Sequence, residues 1–121
     1  RLDRARRWGL LPQPELDLPL VELALLRGDL GAARRVLATA RPPAWQRADL
    51  AYAAGLTEAR AGDVAAALSG FRRALELEPG FRAARENLAA ALVAFGRDEE
   101  ARALLAAAPA ATGPPPGEQV P

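Results

Sequence analysis

Small and large apolar positions return along the chain at one fixed interval. Gly28, Gly62 and Gly96 lie 34 and 34 residues apart, and the same interval links Ala33, Ala67 and Ala101, then Leu37, Phe71 and Leu105, then Ala40, Ala74 and Ala108. Four columns in one register over three copies mark an internal repeat. An alanine-rich chain does not give this by accident, because the glycine column and the large apolar column are not alanine. Positions within a copy step by three and four, as in Leu18, Glu22 and Leu25 or Tyr52, Leu56 and Arg60, so each set lies on one face of a helix. The pattern predicts two helices per copy. First helices are expected near Asp17 to Arg27, Ala44 to Ala61 and Phe81 to Phe95, each closed by its column glycine in the left-handed conformation. Asp29 and Asp63 follow as N-caps, with Asp98 one place later, so second helices start near Leu30, Val64 and Asp98. They end at ARPP (Ala40 to Pro43), LEPG (Leu77 to Gly80) and AAPA (Ala107 to Ala110), where proline has no amide hydrogen to continue a helix.

Composition agrees with helices alone. Of 121 residues 50% are hydrophobic, enough for one domain with a core, and that half is mostly Ala and Leu, with no Ile, Met or Cys. Ala and Leu are strong helix formers and poor strand formers, so the fold class is all-α. The 16 basic residues are all arginine and face 15 acids, which leaves no net field to attract nucleic acid. No apolar stretch approaches the roughly 20 residues that cross a bilayer. A first residue of Arg1 and not Met reads as a fragment or a processed chain, with an anchor or signal upstream left open. Absence of cysteine does not choose a compartment.

The repeat resembles the tetratricopeptide family, whose 34-residue helix-turn-helix unit carries WxxLGxxY, then AxxxF, then P. In the middle copy Gly55 takes the small slot of the first helix, Ala67 and Phe71 supply AxxxF, Ala74 follows and Pro79 closes the unit. Leu88, Ala89, Leu92, Ala101 and Leu105 take these places in the third copy, and Asn87 also fits; Leu20, Val21, Ala33 and Leu37 do so in the first. The sequence departs from the family where the large aromatic slot holds Asp17, Ala51 and Arg85, and where Glu58 stands for tyrosine, a place for a solvated or ion-paired side chain. The resemblance implies a solenoid, a right-handed superhelix of antiparallel helix pairs, with three repeats at about 14–47, 48–81 and 82–110. The small residues then let helices approach: Gly55 is expected to face Ala67, with Phe71 in the wedge between this hairpin and the next. Gly70 costs ~1 kcal/mol in a helix interior, and a close helix approach is the reason to expect for it.

The ends differ. Residues 1–13 hold Leu2, Ala5 and Trp8 or Gly9 on one helical face and arginines largely on another, and LDRARRW echoes LGAARRV at Leu30 to Val36, so a lone capping helix is expected there, with a juxtamembrane segment as the alternative that four arginines in the first seven residues offer. Residues 111–121 are proline-rich without apolar periodicity and are expected to be a flexible tail. No polar capping helix follows the third copy, so its apolar face is left for a partner or a second copy of the chain.

Candidate chemistry is sparse. The chain has no histidine and no cysteine, and its one serine, Ser69, has no imidazole to act as its base, so no catalytic site, cofactor or metal site is expected. What the resemblance implies instead is a concave groove lined by first helices. Its residues would be Glu15, Leu18, Glu22, Leu25 and Leu26, then Asp49, Tyr52, Leu56 and Arg60, then Glu86, Asn87, Ala90 and Val93. This mixed lining suits a protein or peptide partner, with Tyr52 as anchor. The Lys, Arg and Asn clamp by which some members of the family hold a chaperone C-terminus would fall on Leu18, Glu22, Ala53, Ala83 and Asn87, of which only Asn87 fits. Two alternatives to a noncatalytic interaction module stand beside it: self-association through the uncapped third repeat, and an accessory domain of a larger enzyme or envelope complex.

Overall fold

In the computed structural model, residues 14–107 are described, and they form helices only. The helices are α1 (Pro14–Leu26), α2 (Leu30–Thr39), α3 (Ala48–Ala61), α4 (Val64–Leu77), α5 (Arg82–Ala94) and α6 (Asp98–Ala106), with a 3-10 turn at Ala44–Gln46. They pair as three hairpins, α1/α2, α3/α4 and α5/α6. First helices begin at Pro14, Ala48 and Arg82 and second helices at Leu30, Val64 and Asp98, so the interval of the apolar columns is also the interval of the helix starts. The expected capping helix in 1–13 and the tail at 111–121 lie outside the described residues.

One turn recurs in all three hairpins. Gly28, Gly62 and Gly96 adopt φ of 72°, 88° and 82°, the left-handed region that a side chain disfavours. Around each, two backbone amides close the first helix: Gly28 and Asp29 donate to Leu25 and Ala24, Gly62 and Asp63 to Ala59 and Glu58, Gly96 and Arg97 to Val93 and Leu92, all between 2.7 and 3.1 Å. The next residue starts the second helix. Asp29 Oδ1 accepts from the Ala32 amide at 2.9 Å and Asp63 Oδ1 from Ala66 at 3.0 Å, as expected of N-caps. The third turn differs from expectation: Arg97 holds the cap position without a side-chain bond, and Asp98 is the first residue of α6, where with Glu99 and Glu100 it meets the positive end of the helix.

Two first helices also have corrected bounds. The chain from Ala44 does not run into α3, because Gln46 and Arg47 donate to carbonyls three residues back and Arg47 is extended at φ −125°, ψ 123°. Arg47 is held there by Pro14 O at 3.0 Å, Asp17 Oδ2 at 3.3 Å and Asp49 Oδ2 at 3.0 Å, so it ties the start of α1 to the start of α3. α1 starts at Pro14 and not at Asp17, with proline at the first helical position, where its missing amide costs nothing.

The core is built from small residues against a few large ones. Between α1, α2 and α3 it consists of Val21, Ala24, Leu25, Ala33 and Ala53. Between α4, α5 and α6 it consists of Ala67, Leu68, Phe71, Leu88, Ala89, Leu92 and Ala101. Phe71, 1% exposed, fills the wedge between the second and third hairpins. The contact of α3 with α4 is closer than the expected Gly55 to Ala67 pairing: a Cβ on Gly70 would fall 2.6 Å from Gly55 N, and one on Gly55 would fall 2.6 Å from the Phe71 ring. Gly70 therefore lets two backbones touch, and this is the close approach that justifies glycine inside a helix.

Of the slots that depart from the family pattern, Ala51 is buried with Ala74 and Ala84, and the charged residues at the others are satisfied by ion pairs and hydrogen bonds. Glu58 accepts twice from Arg34, at 2.8 and 3.1 Å, joining α2 to α3. This pairing raises the Arg34 guanidinium above its ordinary range, chiefly through the hydrogen bond. Arg85 is buried against the core and donates to the Pro79 carbonyl.

Candidate protein-binding face

The predicted groove residues sit on α1, α3 and α5, and the structure divides them into three groups. On α1 and α3, Glu22, Leu25, Leu26, Leu56 and Arg60 line an open depression of about 440 Å³. Leu25, 6% exposed, is its floor and belongs to the core, and Leu56 packs against the clusters on both sides of it. Leu26 stands 84% exposed on the rim. Arg60 Nη1 donates to the Leu25 carbonyl at 2.9 Å, which fixes the guanidinium at the carboxyl end of α1. Leu18 is half-buried against the same core, while Glu15 is exposed.

Tyr52 forms the second group. Its ring lies 5.0 Å from Phe81 and 5.8 Å from Phe71, centroid to centroid, and its hydroxyl accepts from Asn87 Nδ2 at 3.2 Å. Asn87 is itself held by the Ala83 carbonyl at 2.9 Å, so α3 and α5 are linked through one polar contact. Partial burial, and then the Glu86 carboxylate, raise the Tyr52 phenol above its ordinary range. Asp49 is nearby in sequence but is committed elsewhere, to Arg47 and to the Leu50 amide at 2.8 Å.

The third group, Glu86, Ala90 and Val93, lies at the far end of the array. With Ala89, Asp98, Ala101, Arg102 and Leu105 it lines a second depression of about 400 Å³. Val93 is 53% and Leu105 50% exposed there.

Sequence reasoning did not single out two features. Leu16 and Leu23 form an exposed stripe on α1 with Leu20, which was expected in the repeat slot that Leu88 fills but is 48% exposed here; their spacing of four and three was the available signal. A depression of about 520 Å³ between α4, α5 and α6 has Leu75, Leu88, Leu92 and Leu104 in its lining and the Arg72–Glu100 ion pair, 2.7 Å, at its edge. No spacing within one helix could announce it, since three helices build it. Among the described residues no group of three or more His, Cys, Asp or Glu is placed to hold a metal ion, and no helix is long and apolar enough to cross a membrane.

Antiparallel helix pairs repeated in one register, each closed by the same glycine turn and packed through small residues, define an all-α helical-repeat protein. Residues 58–116, a segment that includes α4, α5 and α6, match the family described as Tetratricopeptide repeat. Tetratricopeptide repeats generally mediate protein–protein interaction, and the family is typically noncatalytic. No curated protein and no solved structure matches the chain.

Proposed function

We propose that the chain is a noncatalytic interaction module whose first-helix face, on α1, α3 and α5, receives a segment of a partner protein. The observation that carries this reading is Tyr52, an aromatic side chain left partly exposed on that face and held in place by Phe81 and Asn87. A ring so fixed offers contact area at low entropic cost. Leu26 and Val93 extend apolar surface to either side of it, and exposed Glu22, Arg60 and Glu86 add charge.

A photo-crosslinking amino acid at Glu22 or Ala90, both exposed, tests the reading in cells that make the native protein, with Ser69 on α4 as the control position. The expected result is one partner captured from the first-helix positions and not from Ser69; the reverse pattern removes the groove from consideration. Tyr52→Ala should weaken binding of that partner while a cooperative melt is retained. Loss of the folded state in this variant would make Tyr52 a core residue instead.

Self-association is the second reading, favoured by the exposure of Val93, Phe95 and Leu105 at the α5/α6 end. Light scattering separates the two, since a strict monomer at high concentration leaves only the first.

A further inference from the structure

The depression between α1 and α3 carries two charges of opposite sign, and neither is neutralised. Glu22 and Arg60 both line it, yet among the described residues neither forms an ion pair with the other or with any other side chain. This contrasts with Arg34, Arg47, Arg72 and Arg73, each of which has a carboxylate partner at 3.3 Å or less. The two groups stay apart because of where the helices put them. Arg60 is drawn to the Leu25 carbonyl at the carboxyl end of α1, while Glu22 lies nearly one turn earlier on the same helix. One turn is about 5.4 Å along the axis. Between the two charges the surface is apolar, with Leu25 as floor and Leu26 and Leu56 beside it. A bond from Nη1 to a backbone carbonyl also leaves the other guanidinium hydrogens of Arg60 to donate elsewhere.

We infer that this depression selects a partner segment carrying an apolar side chain flanked on one side by a basic residue, for Glu22, and on the other by an acidic one, for Arg60. The inference rests on the first-helix face being the binding face, and it assigns that face its partner chemistry. Charge complementarity decides the choice of occupant. A purely apolar segment would leave both charges unpaired over its ends, and a segment of one sign would meet one of them with repulsion. Such rim charges contribute modestly to affinity and strongly to discrimination between partners.

Four synthetic peptides in one alanine- and glutamine-rich helical host, each with a central leucine, provide the probe. Their flanking pairs are Lys with Glu, Lys with Lys, Glu with Glu, and Gln with Gln. Binding to the full chain is followed by fluorescence anisotropy and by shifts of the α1 and α3 amides in NMR spectra. The expected result is tightest binding of the Lys and Glu peptide, by about two- to fivefold over each like-charged one, with the advantage shrinking as salt rises. Glu22→Arg should transfer the preference to the Glu and Glu peptide, and Arg60→Glu to the Lys and Lys peptide. Both residues are exposed, so neither variant is expected to disturb folding, which circular dichroism checks. A ranking that ignores these two swaps overturns the inference, as does failure of all four peptides to shift α1 and α3 amides at millimolar concentration. Failure here, with crosslinks to a partner still arising from Glu22 or Ala90 positions, removes the charge rule and leaves the groove reading intact; absence of those crosslinks removes the groove itself.

Discussion

Tyr52 shows how one side chain on this face serves two ends. Its ring is part of the packing against Phe71 and Phe81, and its hydroxyl reaches Asn87 across the gap between α3 and α5. Removing it from water disfavours the phenolate, and the Glu86 carboxylate disfavours it further, so its proton is held more tightly in the folded chain than in the unfolded one. The sign follows: the resulting stabilisation is present below the ordinary phenol pKa of about 10 and is lost as pH rises through the higher folded value. As the only tyrosine, it can be titrated alone by tyrosinate absorbance. The midpoint should lie above the ordinary value in the folded protein, fall part of the way in Glu86→Gln, and return to normal in denaturant. A normal midpoint in the folded state would mean that the ring is solvated. Sequence marked Tyr52 as a groove residue through its place in the repeat; the hydrogen bond to Asn87, 35 residues away, was not legible, because nothing local sets it.

Between elements, the decisive contact is α3 on α4. Gly55 and Gly70 remove the Cβ atoms that would hold these helices apart: backbone atoms of α3 stand in the space a Cβ on Gly70 would need, and the Phe71 ring stands in that of Gly55. Gly70→Ala, which elsewhere in a helix would gain about 1 kcal/mol, is therefore expected to destabilise by roughly 1 to 3 kcal/mol. Gly55→Leu should cost on the order of 1 to 3 kcal/mol or more, because the Phe71 ring is in the way. Gly31→Ala is the control: its Cβ would meet only the Arg35 tip and the Asp29 carboxylate at ordinary contact distances, so the change should be neutral or mildly stabilising. Urea unfolding of the three variants checks the ranking, and equal stability for Gly70→Ala and Gly31→Ala would refute the close contact. The turns between paired helices were legible from the column glycines, and the caps of the first two from the aspartate that follows. The break at Arg47 was not, because it depends on Pro14 and Asp17 of another helix.

At the scale of the molecule, stability passes from hairpin to hairpin through few residues. Among the described residues Phe71 is the largest fully buried side chain, and it shares its cluster with Leu88 and Leu92 of the third hairpin. Phe71→Ala should cost about 3 to 5 kcal/mol. In an array held by nearest-neighbour contacts the loss is not uniform. Hydrogen exchange should show amide protection falling most in α4, α5 and α6 and least in α1 and α2; a uniform loss would mean that the array unfolds only as a single unit.

By itself the sequence determined the repeat interval, the helix pairs, the three glycine turns with aspartate caps at two of them, and the likeness of residues 58–116 to a family of interaction repeats. These are local quantities: a period, a left-handed glycine, a carboxylate three residues from an amide. Tertiary structure decided which equivalent residues are buried. Leu16 and Leu50 hold the same place in consecutive copies, yet Leu16 is 47% exposed at the end of the described array and Leu50 is 0% exposed inside it. It also brought Glu22 and Arg60 into the lining of one depression and paired Arg34 with Glu58, juxtapositions that helical period cannot encode because the residues lie on different helices. Burial and juxtaposition depend on what the neighbouring hairpin supplies, and a repeat read one copy at a time does not contain its neighbour.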